Sequence, residues 1–164
     1  MAQSDNNKRM KVSISTRSVS RAIAKVSKKL ATSVNREIAS AAKRTVGVAK
    51  NRLQPYPWEE GDVVSDIVSV RQSINFIQDK DNFSASVFAG NTSKDDMAAY
   101  LEFGTGPYAE RYLRGVEKEW QDLAWSFYVN GEGTLPEHPY LRPAYKQESK
   151  RLADRLVNLK VDWS

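Results

Sequence analysis

His138, flanked by Glu137 and Pro139, is the only histidine in the chain. An imidazole titrates near neutral pH and can serve as a base or a metal ligand, but either role needs partners. There is no second histidine and no cysteine to share a metal, so His138 reads as a polar loop residue. Carboxylates fall in two clusters, Glu59, Glu60, Asp62 and Asp66, and then Asp95, Asp96 and Glu102. Paired carboxylates can hold Mg²⁺ or divide acid and base roles between them. These occupy loop and first-turn positions, where solvation and the helix dipole account for them. Two glycine-bearing loops, Gly104-Thr105-Gly106 and Gly131-Glu132-Gly133-Thr134, match neither GxxxxGK[ST] nor a GxGxxG opening a helix, so they shape turns and do not cradle phosphate. The residues predict no catalytic, metal or cofactor site, and a protein that is not an enzyme.

The elements that would carry these residues belong to a chain of 164 residues, 40% hydrophobic and 27% charged, a globular composition sized for one domain. No apolar run is long enough for a membrane span, and the polar start Met1–Arg9 lacks the apolar core of a signal peptide. The net charge of +5 conceals an asymmetry. Residues 1–53 carry thirteen Lys/Arg against two acids, a net of +11, and the remainder carries a net of −6. Complementary halves suit packing within a copy, docking between copies, or an external polyanion.

Residues 1–17 read as a flexible basic arm, with Lys11–Thr16 alternating as a short strand or extended lead-in. Val19, Ile23, Val26, Leu30, Val34, Ile38, Ala42, Val46, Ala49 and Leu53 then recur every three or four residues, which predicts one long helix over 18–53. Such a helix would span about 54 Å, more than the diameter of roughly 40 Å expected of the domain, so it must kink at Gly47, project, or lie across another copy. Its cations, Arg21, Lys25, Lys28, Lys29, Arg36, Lys43 and Arg44 among them, are read as spread over the other faces, available to DNA phosphates or a neighbouring subunit but not to sequence-specific readout.

Gln54–Pro57 stops that helix. A short helix is predicted over Val63–Val70, a strand over Ser73–Ile77, a turn at Asp79–Asn82 and a hairpin partner over Phe83–Ala89. A helix over Lys94–Phe103 halts at Gly104-Thr105-Gly106-Pro107. Leu113–Ala124 reads as helix, with the inserted segment at about 107–124, and Trp125–Val129 as an aromatic strand followed by an Asn130-Gly131 turn. The prolines Pro136, Pro139 and Pro143 stiffen the lead into a final helix over Pro143–Leu159. The tryptophans Trp58, Trp120, Trp125 and Trp163 read as core and interface anchors in preference to a base-stacking platform. The fold class expected is α+β, a single domain over 18–164 with a long N-terminal helix, a small antiparallel sheet and a C-terminal helix.

Two motifs in order, Tyr100-Leu101-Glu102-Phe103-Gly104-Thr105-Gly106 and Pro139-Tyr140-Leu141-Arg142-Pro143-Ala144, resemble the neck and tail-completion proteins of long-tailed bacteriophages, often described as minor tail components. The stretch Trp125–Thr134 and the segment Asp66–Ile74 are similar to further parts of that family, and the likeness runs in order over roughly residues 18–158. Two parts depart from it, the longer segment Tyr108–Ala124 and the basic arm before Ser18.

The resemblance implies a structural virion protein assembled in the host cytoplasm. It forms a homo-oligomeric ring of six or twelve copies at the head–tail junction, around the double-stranded DNA path. Connector or stopper proteins would lie on one side, and tail-tube or terminator proteins on the other. In this reading Glu102-Phe103-Gly104 packs against Tyr140-Leu141-Arg142-Pro143, with Arg142 as partner of Glu102, and the long helix packs beside its counterpart in the next copy. The alternatives are a basic nucleic-acid-binding module, or a tail terminator or head-completion protein of the same particle.

Overall fold

The computed structural model describes residues 10–15, 28–90, 96–110, 116–127 and 133–159. Its elements are β1 (Met10–Ser15), α1 (Lys28–Arg52), α2 (Asp62–Ser73), β2 (Asn75–Asp79), β3 (Ser84–Ala89), α3 (Asp96–Phe103), α4 (Pro107–Glu110), α5 (Lys118–Phe127) and α6 (Leu141–Val157). This is the expected α+β class, with a long N-terminal helix, a small sheet and a C-terminal helix. The chain divides into two compact units. One comprises residues 1–10, 50–74 and 89–140, and the other residues 11–49, 75–88 and 141–164.

The second unit holds the sheet, ordered β1-β3-β2, together with most of α1 and all of α6. Strands β2 and β3 are antiparallel, with Asn75 opposite Phe88 and Asp79 opposite Ser84. Ala85, Val87 and Ala89 alternate inward along β3, the period-two pattern of a half-buried strand. The hairpin turn is closed by Asp79, whose Oδ1 accepts the Asp81 and Asn82 backbone N–H groups, each at 3.1 Å. Hydrogen bonds from Asn82 hold that exposed carboxyl below its ordinary range. Helix α1 is tied to the hairpin through Asn35, which donates to the Lys80 carbonyl at 3.1 Å and whose own carbonyl accepts Gln78 Nε2 at 2.9 Å.

Helix α1 buries Val34, Ile38, Ala41, Ala42, Thr45 and Ala49, the stripe that the three-and-four spacing marks out. Thr45 is fully buried and satisfies its hydroxyl on the Ala41 carbonyl at 2.9 Å. The helix has 25 residues, about 37 Å, and runs through Gly47 without interruption. The predicted stretch 18–27, with Arg21 and Lys25, lies outside the described residues. Facing α1, Glu148 of α6 is fully buried, with Oε2 2.7 Å from Arg44 Nε and Oε1 2.7 Å from Arg151 Nη1.

The first unit packs α3 against α2 and α5. Its core includes Ile67 and Val70 of α2, Leu101 and Phe103 of α3, and Trp120 and Ala124 of α5. The Phe103 and Trp120 rings meet edge to face, centroids 6.1 Å apart. Ser73, the last residue of α2, accepts the Gly90 N–H at 2.8 Å and so pins together the two ends of the segment 74–89.

Two sequence expectations change. Trp125, Ser126 and Phe127, predicted to open an aromatic strand, are the last residues of α5. Trp120 and Ala124, four apart, are both buried while Trp125 is 60% exposed, so the helical period overrides the strand preference of aromatic residues. The rest of the predicted strand and the Asn130 turn fall outside the described residues. Pro107, expected only to halt the helix before it, opens the one-turn helix α4, in first position where its missing N–H costs nothing.

Candidate functional site: a clasp between two distant motifs

The end of α3 determines what lies around it. A helix leaves its last four carbonyls without intrahelical partners. At Gly104 the backbone turns left-handed, φ 72°, and the Gly104 N–H closes on the Tyr100 carbonyl. The Leu101 carbonyl is taken by the His138 N–H at 2.6 Å. Thr105 then pairs with Leu135 in both directions. Its N–H donates to the Leu135 carbonyl at 2.9 Å, and its Oγ1 accepts the Leu135 N–H at 3.0 Å. Gly106 turns left-handed again, φ 55°, and delivers the chain to Pro107. Residues 135–140 therefore run along the C-terminal end of α3. Pro136 and Pro139 fall between the donors used, at 135, 138 and 140, where no N–H is required.

Two side chains lock this segment. Glu102, fully buried, accepts the Tyr140 backbone N–H on Oε2 at 2.8 Å. Tyr140, also fully buried, donates its hydroxyl to the Ala98 carbonyl at 3.1 Å. Burial, reinforced by the Glu102 charge, holds the Tyr140 hydroxyl well above its ordinary range, so it remains a donor at every physiological pH. Glu102 thus holds a backbone in place. Replacing Glu102 with Gln keeps an acceptor for the Tyr140 N–H and should cost less than Glu102→Ala, which orphans that buried N–H at about 2 kcal/mol. Tyr140→Phe should cost about 1 kcal/mol. Urea unfolding of the three variants checks this order.

A brace lies outside the clasp. His138 is 4% exposed, with Nε2 2.8 Å from Glu59 Oε1, and its ring stacks on Tyr56 at 4.2 Å between centroids. An ionised carboxylate only accepts, so His138 directs an N–H at it. Glu59 Oε2 also takes the Tyr56 backbone N–H at 2.7 Å, and the Tyr56 hydroxyl donates to the Glu137 carbonyl at 2.9 Å. Burial raises the Tyr56 hydroxyl above its ordinary range, with the Glu137 and Glu59 charges adding to it. The expectation that His138 is a polar loop residue, and Glu59 a solvated one, is corrected. They form a buried pair that fastens the Tyr56–Glu59 turn to the clasp. Partners 79 and 81 residues apart leave no periodic trace in the sequence. The only hint is an isolated histidine between prolines. Covered and stacked, the imidazole has no open face for a substrate, and among the described residues no group of acidic or histidine side chains is arranged to hold a metal ion.

The structure brings Tyr100, Glu102, Phe103, Gly104, Thr105, Gly106, Pro139 and Tyr140 together in the first unit. Leu141, Arg142 and Pro143 open α6 in the second unit. Of the cations proposed for contact, Lys28, Lys29, Arg36 and Lys43 are exposed. Arg44 is turned inward to Glu148. Lys29, Arg36, Lys43 and Lys50 recur every seven residues and so form one row along α1, opposite its buried side, at intervals of about 10.5 Å. The sequence reading spread these charges over several faces, whereas this subset shares one.

No family model, curated protein or solved structure matches this chain.

Proposed function

We propose that the chain is a structural virion protein that forms a homo-oligomeric ring at the head–tail junction of a long-tailed bacteriophage, joining the connector to the tail around the DNA path. The observation that carries this reading is the clasp. The Tyr100–Gly106 motif and the segment leading into Pro139–Tyr140, at least thirty residues further on, close on each other through four hydrogen bonds made by Thr105, Leu101 and Glu102, with a fifth to Ala98 just before the motif. Side chains that such motifs spend on backbone geometry serve a fixed shape and not a reaction, as a joining ring requires.

Loss of the gene should yield filled heads and complete tails that do not join, with joining restored by the purified chain. Labelled antibody should mark the neck in electron micrographs. Normal joining without the protein, or label elsewhere on the particle, refutes the reading. The row of Lys29, Arg36 and Lys43, all exposed and continued by half-buried Lys50, favours the second reading, a nucleic-acid-binding module. That reading predicts double-stranded DNA affinity in the isolated chain that falls steeply with salt.

A further inference from the structure

Trp58 is 71% exposed, the most exposed aromatic ring among the described residues with large apolar side chains on the surface. It is nonetheless held in place. One face stacks on Tyr56, with centroids 4.8 Å apart and planes 15° from parallel, and Tyr56 stacks in turn on buried His138. Three rings thus run from the interior to the surface, ending in an indole whose outer side faces solvent. A ring fixed this way loses little conformational freedom when something docks on it. Exposed Glu60 and Asp62 lie two and four residues further along the chain, which puts negative charge near the platform.

That charge selects the occupant. Carboxylates near the indole repel phosphate, which disfavours a nucleic-acid base on this ring. They favour a cation, which an indole face also attracts. The matching surface is on the chain itself, in the basic row of α1, where Arg36 and Lys43 stand exposed about 10.5 Å apart. A closed ring with more than two copies requires two different surfaces that meet head to tail. Packing α1 against its own counterpart would instead favour a symmetric pair. We propose that the Trp58 platform, with Glu60 and Asp62, receives the Arg36–Lys43 face of α1 from a second copy of the chain. The inference deepens the ring reading above and names the contact between its copies.

The test uses the full chain in solution, by sedimentation velocity and native mass spectrometry at low and high salt. The chain should associate, and more weakly as salt rises. Trp58→Ala should weaken association about thirtyfold while Trp58→Phe retains most of it. Glu60→Lys with Asp62→Lys should prevent self-association, as should Arg36→Glu with Lys43→Glu. Mixing these two charge-reversed proteins should restore assembly, because each then offers the complement of the other. Circular dichroism melts establish that each variant is folded, and the charge-reversed pair, altered only at exposed positions, decides the matter if Trp58→Ala is not. A wild-type chain that stays monomeric, a Trp58→Ala protein that assembles as tightly as wild type, or a charge-reversed mixture that stays apart overturns the proposal. These outcomes are independent of where the protein sits in a particle. A neck location with an unaffected Trp58→Ala assembly would sink this contact alone.

Discussion

Gly104→Ala should lower the melting temperature of the clasp-bearing unit by roughly 10 °C, a loss of about 3 kcal/mol. Two independent costs contribute. The backbone there is left-handed at φ 72°, where a Cβ is disfavoured by about 1–2 kcal/mol. The new methyl would also meet Tyr108 Cβ at 2.7 Å and two backbone atoms, Glu137 N and Leu135 O, each at 2.9 Å. Neither backbone atom can yield, because residues 135–138 are tied to Thr105 and Leu101. The closeness of those two chain segments is what requires glycine. Gly47→Ala is the control. It lies mid-helix with nothing within 4 Å of the added Cβ, so it should stabilise by up to about 1 kcal/mol. Thermal melts followed by near-ultraviolet circular dichroism, which reports the Phe103–Trp120 contact, measure both. A Gly104→Ala protein that melts within a degree or two of wild type would show that the clasp is not rigid.

Glu148→Ala should destabilise the second unit by about 3 kcal/mol at neutral pH, the lower end of the range for breaking a buried ion pair, because both arginines retain some contact with water. Burial pushes the Glu148 carboxyl up. Hydrogen bonds from Arg44 and Arg151, with the charges of the two arginines, more than reverse this and leave it below its ordinary value of 4.5. A carboxyl lowered by folding contributes its full stability above the unfolded value. That contribution declines as pH falls below about 4.5 and is lost once pH passes below the folded value. Wild type should therefore lose stability on acidification and Glu148→Ala should lose less, so the two urea midpoints converge at low pH. Parallel curves would mean that Glu148 contributes no linkage. Arg44→Met, which keeps the aliphatic stem, should show an intermediate pH dependence, because Arg151 still holds Oε1 at 2.7 Å.

The parts of the fold readable in the sequence were those governed by local periodicity. The inward stripe of α1, the alternation along β3, the Asp79 turn and the glycine stop after Phe103 each arise within a few residues. Trp125 misled because aromatic residues favour strands in isolation, while its burial is decided by where Trp120 and Ala124 face in the folded helix. Glu59 and His138 misled for the opposite reason, since each is polar and loop-borne and only their meeting buries them. The Arg44–Glu148–Arg151 cluster joins residues 104 apart, which no spacing rule links. The Tyr100–Gly106 and Pro139–Tyr140 motifs were visible as residues, but the direction of their hydrogen bonds depends on which carbonyls a helix end leaves open.

The bond between the Ser73 hydroxyl and the Gly90 N–H holds the two ends of the intervening hairpin segment together. Its two stems enter and leave side by side, so the host unit sees one short closure in place of a sixteen-residue detour, and closure entropy grows only with the logarithm of that detour. Added length in the turn therefore costs that closure little, but its residues are not free to change, because the Lys80 carbonyl is held by Asn35 and Phe83 is buried.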